Sequence, residues 1–232
     1  RIGFNLAKQK VFSKEKPLVV VLGEGEHVPE NTLDITCSNI TFIGQSKDKT
    51  TVRGGFGVLN KKNVTVKSLT LTNPNGYGVR VEGEEASVEM MGVSVKGCRR
   101  SGLSVGSGAS VKATQCEFSE NGYNGVFVSG GSKGIFTDCT IHHNGGHGVA
   151  ARNEGTLVEL RGEQTDIHHN GQVGLGAGSN ATINIYIPSR SITALVHDHG
   201  EDDDLNTFLG GKIQSQLSSS SLELTVIHPA AQ

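Results

Sequence analysis

The chain has 232 residues, of which 35% are hydrophobic, 32 are glycine, four are cysteine and none is tryptophan. A formal net charge of −2 excludes a global field that would draw it onto nucleic acid or an anionic membrane. No apolar run approaches the ~20 residues of a membrane-spanning helix, and the leucine-rich runs of a helical solenoid are missing.

In chain order, residues 1–17 are charged, with apolar positions at Ile2, Leu6 and Val11. They read as a short capping helix leading into the strand Leu18-Val19-Val20-Val21-Leu22. The chain opens at Arg1 with no signal-peptide pattern, as a trimmed piece of a longer protein would. A glycine-anchored segment then recurs: Gly78-Val79-Arg80-Val81, Gly102-Leu103-Ser104-Val105, Gly125-Val126-Phe127-Val128, Gly148-Val149-Ala150-Ala151 and Gly174-Leu175-Gly176-Ala177. Their first glycines lie 24, 23, 23 and 26 residues apart. Each copy follows a second regular stretch: Leu69-Thr70-Leu71, Val93-Ser94-Val95, Cys116-Glu117-Phe118, Cys139-Thr140-Ile141 and Thr165-Asp166-Ile167. One such repeat cannot bury its own apolar face and must stack on its neighbours.

Within each repeat apolar and polar residues alternate, as at Val88/Met90, Val111/Ala113 and Cys116/Phe118. That is strand spacing in runs too short for helices. Gly, Asn and Ser stand between the runs, where corners demand unusual backbone angles. Three strands and three turns in about 23–24 residues describe an all-β, parallel β-helix solenoid, its coils one strand spacing (~4.8 Å) apart. Residues 1–17 form the N-terminal cap of this reading, 18–195 the β-helix and 196–232 an irregular C-terminal cap. The cap includes the acidic run Glu201-Asp202-Asp203-Asp204 as a loop, Ser218 to Ser221 as a flexible connection and a last strand from Leu222 to Ile227. An open solenoid end exposes an unpaired β edge, which is why both ends should be covered.

Asn121, Asn144 and Asn170 share one column, each followed by glycine, and are expected to hydrogen-bond amide to amide from coil to coil as a structural ladder. Cys116 and Cys139 also share a column and should be buried and reduced beside Phe118 and Ile141, since bridging them would demand distortion. Four cysteines without a paired pattern leave the compartment open but favour an intracellular one. Three glycosylation-type triplets, at Asn39, Asn63 and Asn180, decide nothing in a chain so rich in Asn, Ser and Thr.

The segments Val52-Arg53-Gly54-Gly55-Phe56, Cys116-Glu117-Phe118-Ser119-Glu120-Asn121 and Cys139-Thr140-Ile141-His142-His143-Asn144-Gly145 resemble the right-handed parallel β-helix superfamily of carbohydrate-binding proteins and sugar hydrolases (the pectin-lyase-like group). The resemblance covers roughly residues 18 to 195. In look it is similar to the β-helix domains of F-box only proteins, the SHC SH2-binding protein and uncharacterised algal and protist β-helix proteins. The resemblance implies a right-handed solenoid, and in the F-box relatives the β-helix is a recognition surface. No F-box or zinc-finger pattern accompanies the repeat here.

Superfamily enzymes place acids or a basic arginine on one outer face. Gly146-His147-Gly148 matches a polygalacturonase tripeptide, but His147 shares its column with Tyr77, Ser101, Asn124 and Val173, and the partner motifs are missing. The face beside the glycine strand offers Arg80, Glu82 and Arg152, without the carboxylate pair that glycoside hydrolysis uses or a calcium-binding acidic cluster. The chemically rich columns lie elsewhere. His142-His143 and His168-His169 stack on neighbouring coils, with Ser119-Glu120 on the coil before and Glu117, Thr140 and Asp166 two residues earlier. His142, His143, His168, His169, Glu120 and Asp166 are therefore the candidate binding residues. Stacked at ~4.8 Å they could share a proton or Zn²⁺, or simply form a polar turn beside the Asn ladder. The second alternative, with no bound metal and no cofactor, is the expectation. The chain then reads as a non-catalytic recognition scaffold for a protein or polysaccharide partner, neither nucleic acid nor membrane. The alternative is a polysaccharide-active lyase, hydrolase or epimerase with an unrecognised site.

Overall fold

The computed structural model describes residues 12–29, 32–187, 189, 191–200, 205–217 and 220–222. Among the described residues three sheets wrap one core, and the chain visits them in a fixed rotation. Sheet A has ten strands, beginning with Leu18–Val21 and including Ser110–Thr114 and Lys133–Thr137. Sheet B has eight, including Glu117–Ser119, Thr140–His142 and Asp166–His168. Sheet C also has eight, including Val79–Glu82, Leu103–Gly106 and Val149–Arg152. Up to Lys212–Leu217 neighbouring strands pair in parallel and in register, so a residue's column is fixed by its place in the repeat: Val95, Phe118, Ile141, Ile167 and Val196 form one unbroken line in sheet B.

That line is fully buried, as the alternation of the sequence requires. Each such Val, Leu, Ile or Phe stabilises the fold by roughly 1.5–3 kcal/mol on leaving water. The fit between columns is specific. A Cβ on Gly134 would lie 2.7 Å from the Phe136 ring, so the glycine in an otherwise aliphatic column gives that ring its space. Phe136 in turn meets Phe118 edge to face at 6.1 Å. All four cysteines are free thiols, and Cys98, Cys116 and Cys139 are buried. The Cys116 and Cys139 thiols donate to the carbonyls of Thr114 (3.3 Å) and Thr137 (3.4 Å). Burial pushes Cys98 up to about 11.

The turn from sheet B to sheet C builds the ground on which the candidate site stands. Asn121 Nδ2 donates to Asn144 Oδ1 and Asn144 Nδ2 to Asn170 Oδ1, both at 2.9 Å. The backbone N–H groups of Asn121 and Asn144 reach the same oxygens at 3.1 Å. Cys98 N–H donates to Asn121 Oδ1 at one end of the run, and at the other Asn170 N–H donates to His199 Nδ1 at 3.1 Å. The glycine after each Asn is needed for space: a Cβ on Gly145 would stand 2.7 Å from the Gly122 carbonyl oxygen.

Two differences from the sequence reading concern the ends. Parallel pairing does not stop at residue 195. After the one-turn helix Ile192–Leu195, N-capped by Ser191, Val196–His197 rejoins sheet B, Leu205–Phe208 joins sheet C and Lys212–Leu217 joins sheet A. The helix lengthens the coil, so ladder positions 26 residues apart become 29 apart, and the period fades from the sequence while the stack continues. Of the connection expected at Ser218 to Ser221, residues 220–221 belong to Ser220–Leu222, an antiparallel strand on sheet A. The capping helix expected within residues 1–17 falls largely outside the described residues, and 12–16 are not helical. The acidic run 201–204 and residues 223–227 of the closing strand also lie outside them.

Candidate functional site

The edge where sheet B turns into sheet C carries two neighbouring sets of polar and aromatic side chains. The first is the histidine array. His142 ends its strand pointing outward, in register with Ser119 on one side and His168 on the other, and His168 is in register with His197. The next residue in each coil bends the chain through the left-handed region: Glu120 (φ 56°), His143 (54°), His169 (52°) and Asp198 (57°). Asp, Asn and His tolerate that region better than most residues. The bend swings the second ring against the first. His142 Nδ1 and His143 Nδ1 are 2.8 Å apart, as are His168 Nδ1 and His169 Nδ1.

Coil stacking then lays ring upon ring. His142 and His168 stack at 4.9 Å with planes 4° apart, His143 and His169 at 5.1 Å and 4°, and His168 and His197 at 5.5 Å and 14°. Carboxylates reach across from the preceding coil. Glu117 Oε1 lies 3.4 Å from His142 Nε2 and Asp166 Oδ1 lies 3.3 Å from His197 Nε2, while Asp198 Oδ2 holds His197 Nδ1 at 2.7 Å. Burial holds His142 below the ordinary imidazole value, with Glu117 opposing it. Burial and then the His142 charge do the same to His168. The Asp198 hydrogen bond lifts His197 despite some burial. Burial works against ionisation of Glu117, but the Ser119 hydrogen bond and Lys47, 3.6 Å away, help to hold it below its usual range.

Of the residues singled out in the sequence, His142, His143, His168 and His169 come together as one patch. Asp166 contacts His197 and its charge also acts on His168, and Glu120 stands exposed one coil before His143. Sequence reasoning missed His197, Asp198 and His199. The signal was present: His197-Asp198-His199-Gly200 repeats the pattern of His168-His169-Asn170-Gly171, with His199 at the ladder position. Among the described residues no group of three or more His, Cys, Asp or Glu is placed to hold a metal ion.

The second set occupies the three coils before the array, and sequence reasoning did not single it out. Tyr77, Arg99, Arg100 and Tyr123, with Asn75 and Ser101, line an open cleft of about 490 Å³. Arg100 Nη1 donates to the Tyr77 hydroxyl at 3.2 Å. The guanidinium groups of Arg100 and Arg80 lie 5.2 and 5.8 Å from the centre of the Tyr77 ring. Arg80 is neutralised by Glu82, with Nε and Nη2 on one oxygen at 3.0 and 2.8 Å. Tyr123 is 65% exposed. By contrast His147, in its Gly-His-Gly tripeptide, is half-buried and donates its backbone N–H to Asn124.

The family model described as "Right handed beta helix region" matches residues 29–188. The chain belongs to that family. Among solved structures this β-helix is similar to a pectin methylesterase from Yersinia enterocolitica, with a TM-score of 0.51 and 15% identity over 88% of this chain and 90% of that one. The A-module of the mannuronan C-5 epimerase AlgE4 from Azotobacter vinelandii gives 0.47 and 13%, over 87% and 80%. At 15% identity the first likeness is one of fold alone. No curated protein matches the sequence. No helix among the described residues is long and apolar enough to cross a membrane.

Proposed function

We propose that this β-helix is a non-catalytic recognition scaffold that binds a carboxylated carbohydrate chain along the edge between sheets B and C. The cleft between Tyr77 and Tyr123 is its anchor. One observation carries the reading: two tyrosines and two arginines from successive coils converge on an open cleft. Tyrosine presents an apolar face with a polar tip, suited to a sugar ring. Guanidinium forks match the planar geometry of a carboxylate better than lysine does. Arg99 and Arg100 are both exposed. The backbone beneath is held by Asn121 at Cys98 and by Asn73 at the Tyr77 carbonyl, so binding orders little that is not already ordered.

Calorimetric titration with oligogalacturonate and with an uncharged galactose oligomer tests this. Binding of the charged chain alone is expected, weakened about tenfold or more by Tyr123→Ala and by Arg100→Ala, or about 1.4 kcal/mol each. Equal binding of the two oligomers, or variants that bind like the parent, would refute the anchor. Release of unsaturated or reducing ends, abolished by His147→Ala, would show an enzyme instead. Capture of an acidic peptide but no oligosaccharide would make the partner a protein.

A further inference from the structure

We infer that the edge formed by His142, His143, His168, His169 and His197 is an acid-gated extension of this binding site, taking further anionic groups of the same chain only when its imidazoles are protonated. The inference rests on the reading above and adds a second subsite with its own condition for use.

The placement is geometric. Arg100, Tyr123, His142, His168 and His197 come from five successive coils, so about 19 Å separates the first from the last at a strand spacing of ~4.8 Å. The imidazole columns lie three and four residues nearer sheet B than the column of Arg100, Tyr123 and Gly146, so a chain seated on the arginines reaches them by crossing the turn obliquely as it follows the stack. His143 and His169 are exposed to meet it.

The charge on that path depends on protonation. Glu117 and Asp166 face the rings from their own sheet, Glu120 and Asp198 from the bend, and Lys47 reaches Glu117 from the loop before Thr50–Arg53, three strands away in sheet B. Lys96 stands in the outward column beyond Ser119, and His147 and His199 lie deeper in the same turn. With the five imidazoles neutral, the four carboxylates outweigh Lys47 and Lys96, and the edge opposes an anion. With all five charged its sign reverses. The arginine half is positive throughout.

The stacking explains why a ligand is needed to complete the change. Charged rings stacked 4.9 to 5.5 Å apart repel one another, so they resist charging together. An anion lying over them relieves that repulsion. Ligand and proton therefore favour one another reciprocally. Burial of His142 and His168 acts in the same sense, disfavouring their charged forms.

The test compares the full chain's affinity at pH 7.5 and pH 5.5 for a long oligogalacturonate, a trimer, and a long sulfated oligosaccharide. Uronate carboxyls have pKa values near the ~3.5 of an α-carboxyl, and sulfate does not titrate in this range. The expected result is a gain of about tenfold or more at pH 5.5 for both long chains, with proton uptake on binding, and little gain for the trimer. The ratio of affinities at the two pH values should fall close to one in His143→Asn/His169→Asn, which keeps a residue suited to the left-handed bend. His142→Asn/His168→Asn gives an independent check from the other column. A wild-type ratio near one, or a ratio unchanged in both double variants, would overturn the inference while leaving the anchor reading intact. If neither long chain binds at either pH, the reading and the inference fall together. A gain for uronate but not for sulfate would place the titrating group on the ligand and overturn the gate.

Discussion

In the sequence His-His-Asn-Gly, side chains one or two residues apart have opposite fates. Asn144 is 1% exposed, and its amide serves partners on two neighbouring coils. His143, one residue earlier, is exposed and touches mainly other imidazoles. Both columns repeat at the same coil spacing, and both would look equally regular in a sequence. What separates them is direction. Inward, a polar group must satisfy every donor and acceptor or bear the cost of desolvation. Outward, water substitutes for any lost partner. Regularity alone therefore does not distinguish a structural column from an available one.

Asn144→Ala should break the inner column with the largest effect. It removes the acceptor of two Asn121 N–H groups and the donor to the Phe118 and His142 carbonyls. Several buried groups left unsatisfied at ~1–3 kcal/mol each predict a loss of about 3–5 kcal/mol, read by urea denaturation. Gly145→Ala should cost about 1–3 kcal/mol by forcing a methyl against the Gly122 carbonyl. An unchanged denaturation midpoint in either variant would contradict the packing described for this turn.

The outer column should respond to pH in two opposed ways. His142 and His168 have folded values below the unfolded ~6.5, so the unfolded chain takes up protons first. Their contribution is present above ~6.5 and is lost as pH falls through the folded values. His197 is raised, so its contribution is present below ~6.5 and is lost as pH rises through its folded value. Thermal melts from pH 7.5 to 5.5 should show a modest loss in the wild type. That loss should be larger in His197→Asn and smaller in His142→Asn/His168→Asn, and the reverse ranking would show that the assigned directions are wrong. The smallest effect belongs to this last double variant at pH 7.5, which should lie within about 0.5 kcal/mol of the parent. A cost comparable to that of Asn144→Ala would erase the contrast between the columns.

The fold was legible because parallel stacking copies every inward position at nearly constant spacing. The line Val95, Phe118, Ile141, Ile167 is visible in the sequence and in sheet B alike. It stops being legible at Ile192–Leu195, where a helical turn lengthens one coil without disturbing the pairing beyond. The four histidines at 142, 143, 168 and 169 were legible as a patch for the same reason. His197 was hidden by the long coil, and Arg99, Arg100 and Tyr123 by their differing identities in adjacent coils. A repeat search finds residues that recur, whereas a binding cleft can be assembled from residues that do not. Asn39 and Asn63 show the converse. Both sit in glycosylation-type triplets, yet Asn63 Nδ2 donates to Asn39 Oδ1 at 2.7 Å and Asn39 Nδ2 to the Phe12 carbonyl at 2.7 Å. They form a second, shorter amide pairing that composition gave no reason to expect.

The in-register junction between the strands Glu117–Ser119 and Thr140–His142 makes the molecule a ruler that can be extended. A chain carrying a second copy of residues 117–139 would present the same strand ends, the same ladder asparagine and the same turn glycine at its one new joint. Its edge should grow by one increment of about 4.8 Å and gain another Tyr123. The length of this edge is therefore set by how many coils there are, and can change in whole steps without redesign of either end.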